Sequence, residues 1–172
     1  MARDMTLFVD DGTAFHIDAS EDNSTLQISQ LTADYLRSAG KYARVLPGNF
    51  NEAPAVFKHA SKYYLLTSGC TGCVPNTARP AVADSIWAPW TALGNPCVGK
   101  DAGLTFHGQA TYVLPLPGKP GAFIFMADRW QPNNAIDGRH LWLPIQFKDG
   151  RPFIEWMNEW DVSFFERAVL QQ

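Results

Sequence analysis

The sequence predicts an all-β protein assembled from antiparallel meanders. Three observations carry that prediction. Short apolar runs are punctuated by Gly, Pro, Asn and Asp, hardly any stretch holds a 3.6-residue apolar period, and strand-turn-strand units recur along the chain. The first unit is MTLFVDDGTAFHIDAS, two runs joined at Asp10-Asp11-Gly12, where Asp-Gly tolerates the positive φ angles of a tight hairpin. STLQISQL extends this meander by partial alternation. LTADYLRSAG reads as a helical turn or two, with Thr32 as its cap and Gly40 as its stop. VFKHASKYYLLTSG repeats the hairpin around Ala60-Ser61-Lys62, and ARPAVADSI supplies a third strand. TYVLPLPGKPGAFIFMADRW folds back at Pro-Gly-Lys-Pro-Gly, and RHLWLPIQFKDGRPFIEW closes with a pair around Asp149-Gly150.

The apolar strands FHIDAS, YYLLTSG and FIFMADRW follow one another at intervals of roughly 50 to 60 residues, the spacing of propeller blades. A β-sandwich uses the same short alternating strands, so periodicity leaves both architectures open. The chain of 172 residues, 46% of them apolar, is sized for one domain spanning 1–172, in about four blade-like units.

Composition narrows the function classes. Fourteen basic against seventeen acidic residues give a net charge of -3 with no dense Lys/Arg run, which argues against a nucleic-acid partner. No apolar segment approaches 18 residues and no basic start leads into an apolar core, so the sequence shows neither a membrane span nor an export signal. Cys70, Cys73 and Cys97 are odd in number, and GCTGCVPN places the Cys70-x-x-Cys73 pair in a loop rather than on a helix start. They read as loop or structural cysteines, with a disulfide, metal or redox role as the alternatives. No His/Asp/Glu grouping has secure metal-ligand spacing, and no cofactor is expected.

Several polar residues need an explanation. Asp10 and Asp11 belong to a turn, but Asp4 stands at the entrance to the first strand as Glu52 does in NEAPAVF and Gln109 does in GQATYV. In a propeller the entrances of the innermost strands converge on the axis, which would gather these three. Hydrolysis of a glycosidic bond needs a proton donor and a group that orients water. Glu52 suits the donor, and the like charge of Asp4 would raise its pKa. His107 is a further pocket candidate, whereas His16 inside a strand reads as structural. Trp130 ends a strand beside Asp128 and Arg129, where its ring serves either core packing or as a platform for a sugar's C–H face.

RDMTLFVDDGTAF, NEAPAVFKHASKYYLLTSGCTG, AVADSIWAPW and TFHGQATYV through FMADRW together resemble glycoside hydrolase family 43, and within it the exo-β-1,3-galactanase-like branch. The resemblance covers almost the whole chain. It implies an incomplete five-bladed β-propeller of antiparallel four-stranded blades, inverting hydrolysis at its axial end, and an oligosaccharide or polysaccharide as partner. It places the general acid on Glu52, the pKa-modulating and orienting aspartate on Asp4, and on Gln109 a water-positioning amide that would act as an unusual base through its imidic-acid form. Substrate contacts would fall on Trp130, His107, Asp128 and Thr71. Arabinofuranosidases and β-xylosidases share this machinery, and a non-catalytic carbohydrate-binding remnant is a further alternative. Resembling proteins are extracellular or periplasmic.

Two departures stand out. Where the resembling sequences read SGCTGW this chain reads SGCTGC, so Cys73 replaces a ring, and Met1-Ala2-Arg3 leads straight into what resembles a second blade. Apolar sheet faces left wet cost roughly 25 cal/mol per Å², so self-association, most simply a symmetric dimer, is expected to cover them.

Overall fold

A computed structural model describes residues 2–131 and 133–169. They form three successive sheets. The first is a four-stranded meander of β1 (Met5–Asp10), β2 (Thr13–Ser20), β3 (Thr25–Leu31) and β4 (Ser38–Val45). The second repeats it with β5 (Asn51–His59), β6 (Lys62–Gly69), β7 (Arg79–Ala83) and the short β8 (Thr91–Ala92). The third is built from β10 (Gln109–Pro115), β11 (Phe123–Arg129), β12 (Arg139–Lys148) and β13 (Arg151–Glu155), and β9 (Cys97–Val98) joins its far edge parallel to β13. Apart from β9, each sheet is an up-and-down meander from nearly contiguous sequence, the arrangement of a partial β-propeller rather than of a Greek-key sandwich. Three sheets are present among the described residues, where the sequence suggested about four units.

The hairpins form where turn chemistry places them. Asp11 and Gly12 have φ of 49° and 75°, Ala60 and Ser61 46° and 65°, and Asp149 and Gly150 51° and 70°, so all three loops have the consecutive positive φ values of a two-residue turn that matches strand twist.

The segment read as a helix is a correction. Thr32 does not cap a helix: its hydroxyl donates to the Arg37 carbonyl at 3.1 Å and accepts from the Arg37 N–H at 3.2 Å, closing a loop in which Tyr35 has φ 63°. Asp34 accepts the Leu36 N–H at 3.1 Å, the local side-chain bonding that competes with a helix. Gly40 then lies inside β4, whose pairing with β3 completes the sheet.

The second sheet is buried on both faces, which fixes the packing of all three. Val56, Leu65 and Ala81 meet Phe15, Ile17 and Ile28 of the first sheet. From the opposite face Phe57, Tyr64 and Leu66 meet Val113, Phe125 and Leu143 of the third. The far face of the third sheet carries Ile124, on which Phe165 of α1 (Phe164–Val169) packs. On the far face of the first sheet Met5, Leu7 and Val9 stay about half exposed. No helix among the described residues is long and apolar enough to cross a membrane.

The three cysteines are free. Cys70 and Cys73 are exposed, whereas burial pushes the Cys97 thiol up to about 12, which keeps it protonated and unreactive. Among the described residues no group of three or more His, Cys, Asp or Glu side chains is placed to hold a metal ion.

Candidate functional site

The three strand entrances meet, one from each sheet. Glu52 is the second residue of β5 and lies opposite Ser68 of β6, just before the ladder slips between Glu52 and Ala55. The irregularity has a local origin: Ala53 takes φ 52°, a left-handed conformation costly for any residue with a Cβ. Asp4 holds it there, accepting the Ala53 N–H at 3.0 Å across 49 residues of sequence. A bulge supported this way turns the Glu52 side chain out of the ladder.

Glu52 then receives two amides. Asn23 Nδ2 donates to Oε2 at 3.2 Å, from the turn between β2 and β3, and Gln109 Nε2 donates to Oε1 at 3.1 Å from the start of β10. Gln109 Nε2 also reaches Ser68 Oγ at 2.8 Å. The carboxyl of Glu52 is half-buried, and its pKa is raised by that desolvation first and by the Asp4 charge second. The Gln109 hydrogen bond, a bond with Cys70 and the more distant Arg3 offset part of the rise. The arrangement favours a carboxylic acid that keeps its proton at higher pH than a surface glutamate, which is the state a proton donor requires.

Asn23 is 5% exposed and its Oδ1 is buried without a hydrogen-bond partner. An orphan acceptor beside a carboxyl group is able to receive a proton-bearing oxygen if the amide turns over. The segment ahead of Glu52 is clamped from the side by Arg79, whose Nη1 donates to the carbonyls of Asn49 at 2.9 Å and Phe50 at 3.3 Å. Arg79 crosses so close to Gly69, the last residue of β6, that a Cβ there would lie 2.6 Å from Nη2 and push the guanidinium aside.

On its other side Gln109 borders an open depression lined with Ser68, Val74, Asn76, His107 and Trp130. Trp130 follows β11 directly and is 41% exposed, so it is a rim residue and not part of the core. Asp128 lies opposite Gln109 in the ladder but faces outward to His140, whose Nδ1 is 3.0 Å from its Oδ1. Thr71 is not on the depression wall: its hydroxyl donates to the Val74 carbonyl at 2.5 Å and accepts from Asn76 Nδ2 at 2.7 Å, shaping the loop instead. The structure thus brings Glu52, Asp4 and Gln109 together, sets His107 and Trp130 beside them, and leaves Asp128 and Thr71 engaged elsewhere. His16 pairs with the buried Asp18 at 3.3 Å, away from this site. Asn23 and Ser68 were not singled out from the sequence, since neither stands at a strand entrance.

Several solved proteins share this fold. A family-43 β-1,3-galactosidase solved with galactodeoxynojirimycin superposes with a TM-score of 0.91 at 59% identity, over 94% of this chain and 47% of its own. A second family-43 β-1,3-galactosidase gives 0.94 at 38%, over 98% and 36%. An exo-β-1,3-galactanase from Clostridium thermocellum gives 0.80 at 34%, over 90% and 34%. The chain therefore spans less than half the length of these relatives. No curated protein sequence matches it. Residues 2–158 match the model of glycosyl hydrolases family 43, and the chain belongs to that family.

Proposed function

We propose that this chain binds a β-1,3-linked galactoside at the Gln109–Trp130 depression and that Glu52 is the proton donor for an exo-acting, inverting cleavage. The observation that carries the reading is the half-buried Glu52 carboxyl, raised in pKa and bonded to Gln109 at the edge of that depression. Trp130 offers its ring to the apolar face of the sugar, and Glu52 protonates the departing oxygen. Gln109 orients water. As its Nε2 is committed to Glu52 and Ser68, its carbonyl oxygen is the atom left to accept from that water. The printed activities of the similar structures support the galactoside as ligand. Assay on β-1,3-galactan with the product anomer followed by NMR tests cleavage and inversion together.

A second reading has its own observation. The residues lining the depression include no carboxylate, and Gln109, the residue assigned here to orient water, is an amide. An amide is a weak proton acceptor, which favours saccharide binding without turnover. Saccharide affinity without product release identifies that case.

Asp4 positions and tunes. Asp4→Asn keeps an oxygen able to accept the Ala53 N–H but removes the negative charge that raises the Glu52 pKa. A donor is active while protonated, so turnover falls as pH rises through its pKa. The pH above which activity declines is therefore expected to move lower in Asp4→Asn, and an unmoved alkaline limb assigns Asp4 a purely structural part.

Self-association is proposed from the far face of the first sheet, where Leu7 shares a cross-strand row with His16, Ser29 and the exposed Tyr42. Light scattering at micromolar concentration is expected to give a mass above 19.1 kDa; a constant monomer mass overturns this.

A further inference from the structure

Next to the Gln109–Trp130 depression lies a second one, lined by Lys100, Asp101, Phe106, His107, Arg129 and Trp156, and His107 borders both. The backbone that builds the shared wall is unusual. Thr105, Phe106 and His107 occupy the left-handed region consecutively, with φ of 50°, 55° and 64°, and Asp101 does so at 60°. Side chains disfavour that conformation, so surrounding contacts must hold it. Phe106 is 2% exposed and its ring lies 5.7 Å from that of Trp156, while Thr105 donates to the Asn76 carbonyl at 2.7 Å. These anchors tie the wall of one depression to the wall of the other.

The charges of the second depression differ from those of the chain, which is acidic at -3. Lys100 and Arg129 both line it, and among the described residues neither forms an ion pair with a carboxylate. Asp101, the one acidic residue there, lies 3.5 Å from His107. Arg129 sits 5.5 Å from the Trp156 ring centroid, within cation–π range, and Trp156 is 41% exposed. A planar cation beside an exposed ring, with a second cation nearby, combines the two features that recognise a sugar bearing a carboxylate: charge-assisted hydrogen bonds to the acid group and an aromatic face for the C–H bonds.

We propose that this second depression binds a uronic acid unit, with Arg129 and Lys100 on its carboxylate and the exposed part of the Trp156 indole against its ring. That the unit arrives attached to the galactoside held next door rests on the galactoside reading; the recognition of the uronate itself does not. The probes are methyl β-D-glucuronide, its uncharged counterpart methyl β-D-glucoside, and acetate, each titrated while the indole N–H resonance of Trp156 is followed by NMR. The glucuronide is expected to bind at least about tenfold more tightly than either of the others. Lys100→Gln/Arg129→Gln removes that preference, and Lys100→Gln alone, at an exposed side chain, weakens glucuronide binding at least about threefold. Glu52→Gln leaves glucuronide binding unchanged. Equal affinity for the three probes overturns the proposal, as does a preference that survives loss of both cations, or a glucuronide affinity that falls with Glu52→Gln. Retained galactan cleavage in Glu52→Gln would instead count against Glu52 as the proton donor and leave the uronate preference standing.

Discussion

Glu52→Gln is expected to lower kcat at least about a hundredfold on a β-1,3-galactoside with a poor leaving group, the usual value of general acid catalysis. The substitution keeps size and removes the proton that the departing oxygen needs. An activated aryl galactoside should recover much of the loss, because its leaving group departs with little protonation, whereas a misfolded protein would lose both substrates alike. The site is able to absorb the change. A glutamine at position 52 would point its NH2 at one of the two amides that now donate to the carboxylate, and Asn23 has a buried, unpartnered Oδ1 that turns toward that NH2 when its amide flips. Stability should follow. The folded-state pKa of Glu52 is raised above its ordinary 4.5, so folding disfavours the carboxylate; the penalty is absent below about that pH and complete once pH exceeds the folded-state value. Parent and Glu52→Gln should therefore melt together in acid, with the variant the more stable at neutral pH. Near-parent turnover on the poor-leaving-group substrate removes Glu52 from the donor role.

The surroundings of Glu52 and the turns that frame them were unevenly legible in the sequence. Asp11-Gly12 and Asp149-Gly150 announced their hairpins because a two-residue turn depends on the φ preferences of its own residues. Asp4, Glu52 and Gln109 could be aligned because each opens an innermost strand, and strand order alone then carries them to one place. Asn23 and Ser68 gave no such signal. Their importance comes from neighbouring sheets, which bring Asn23 to Glu52 across 29 residues and Ser68 to Gln109 across 41. Thr32 to Gly40 misled for the opposite reason, since Thr32 and Asp34 carry out local hydrogen bonding that a helix cap and a closed loop share. Thr71 was expected to contact substrate, and the loop closure that takes up its hydroxyl through Val74 and Asn76 leaves no pattern along the chain. The two-residue β9 lies parallel to β13 through a contact more than fifty residues away, beyond the reach of any pattern read along the chain.

The largest loss of stability is expected from Phe57→Ala. Phe57 is 2% exposed, and its ring centroid lies 5.2 Å from that of Tyr64, 5.0 Å from Phe123 and 6.3 Å from Phe147. Tyr64 belongs to the second sheet and the other two to the third, so this ring bridges the boundary between them. Truncation removes its apolar contacts and leaves a cavity that Tyr64 is poorly placed to fill, because its hydroxyl is committed to the Gly150 carbonyl at 2.9 Å. The cost should be about 3–5 kcal/mol, a large part of the roughly 5–15 kcal/mol that holds a domain folded. Phe57→Leu refills part of the volume and should cost less. Urea unfolding measures both, and a loss under about 1 kcal/mol for Phe57→Ala would mean that the two sheets do not depend on this ring. The same boundary sets the site. Strand β5 carries Glu52 five residues ahead of Phe57, and β11, which carries Phe123, is paired with β10, whose first residue is Gln109. A ring that locks β5 to β11 thereby fixes the 3.1 Å bond between Glu52 and Gln109. Galactoside affinity should accordingly fall in Phe57→Ala even under conditions where the variant is fully folded, because a bond between two sheets holds its length only as well as the sheets hold theirs.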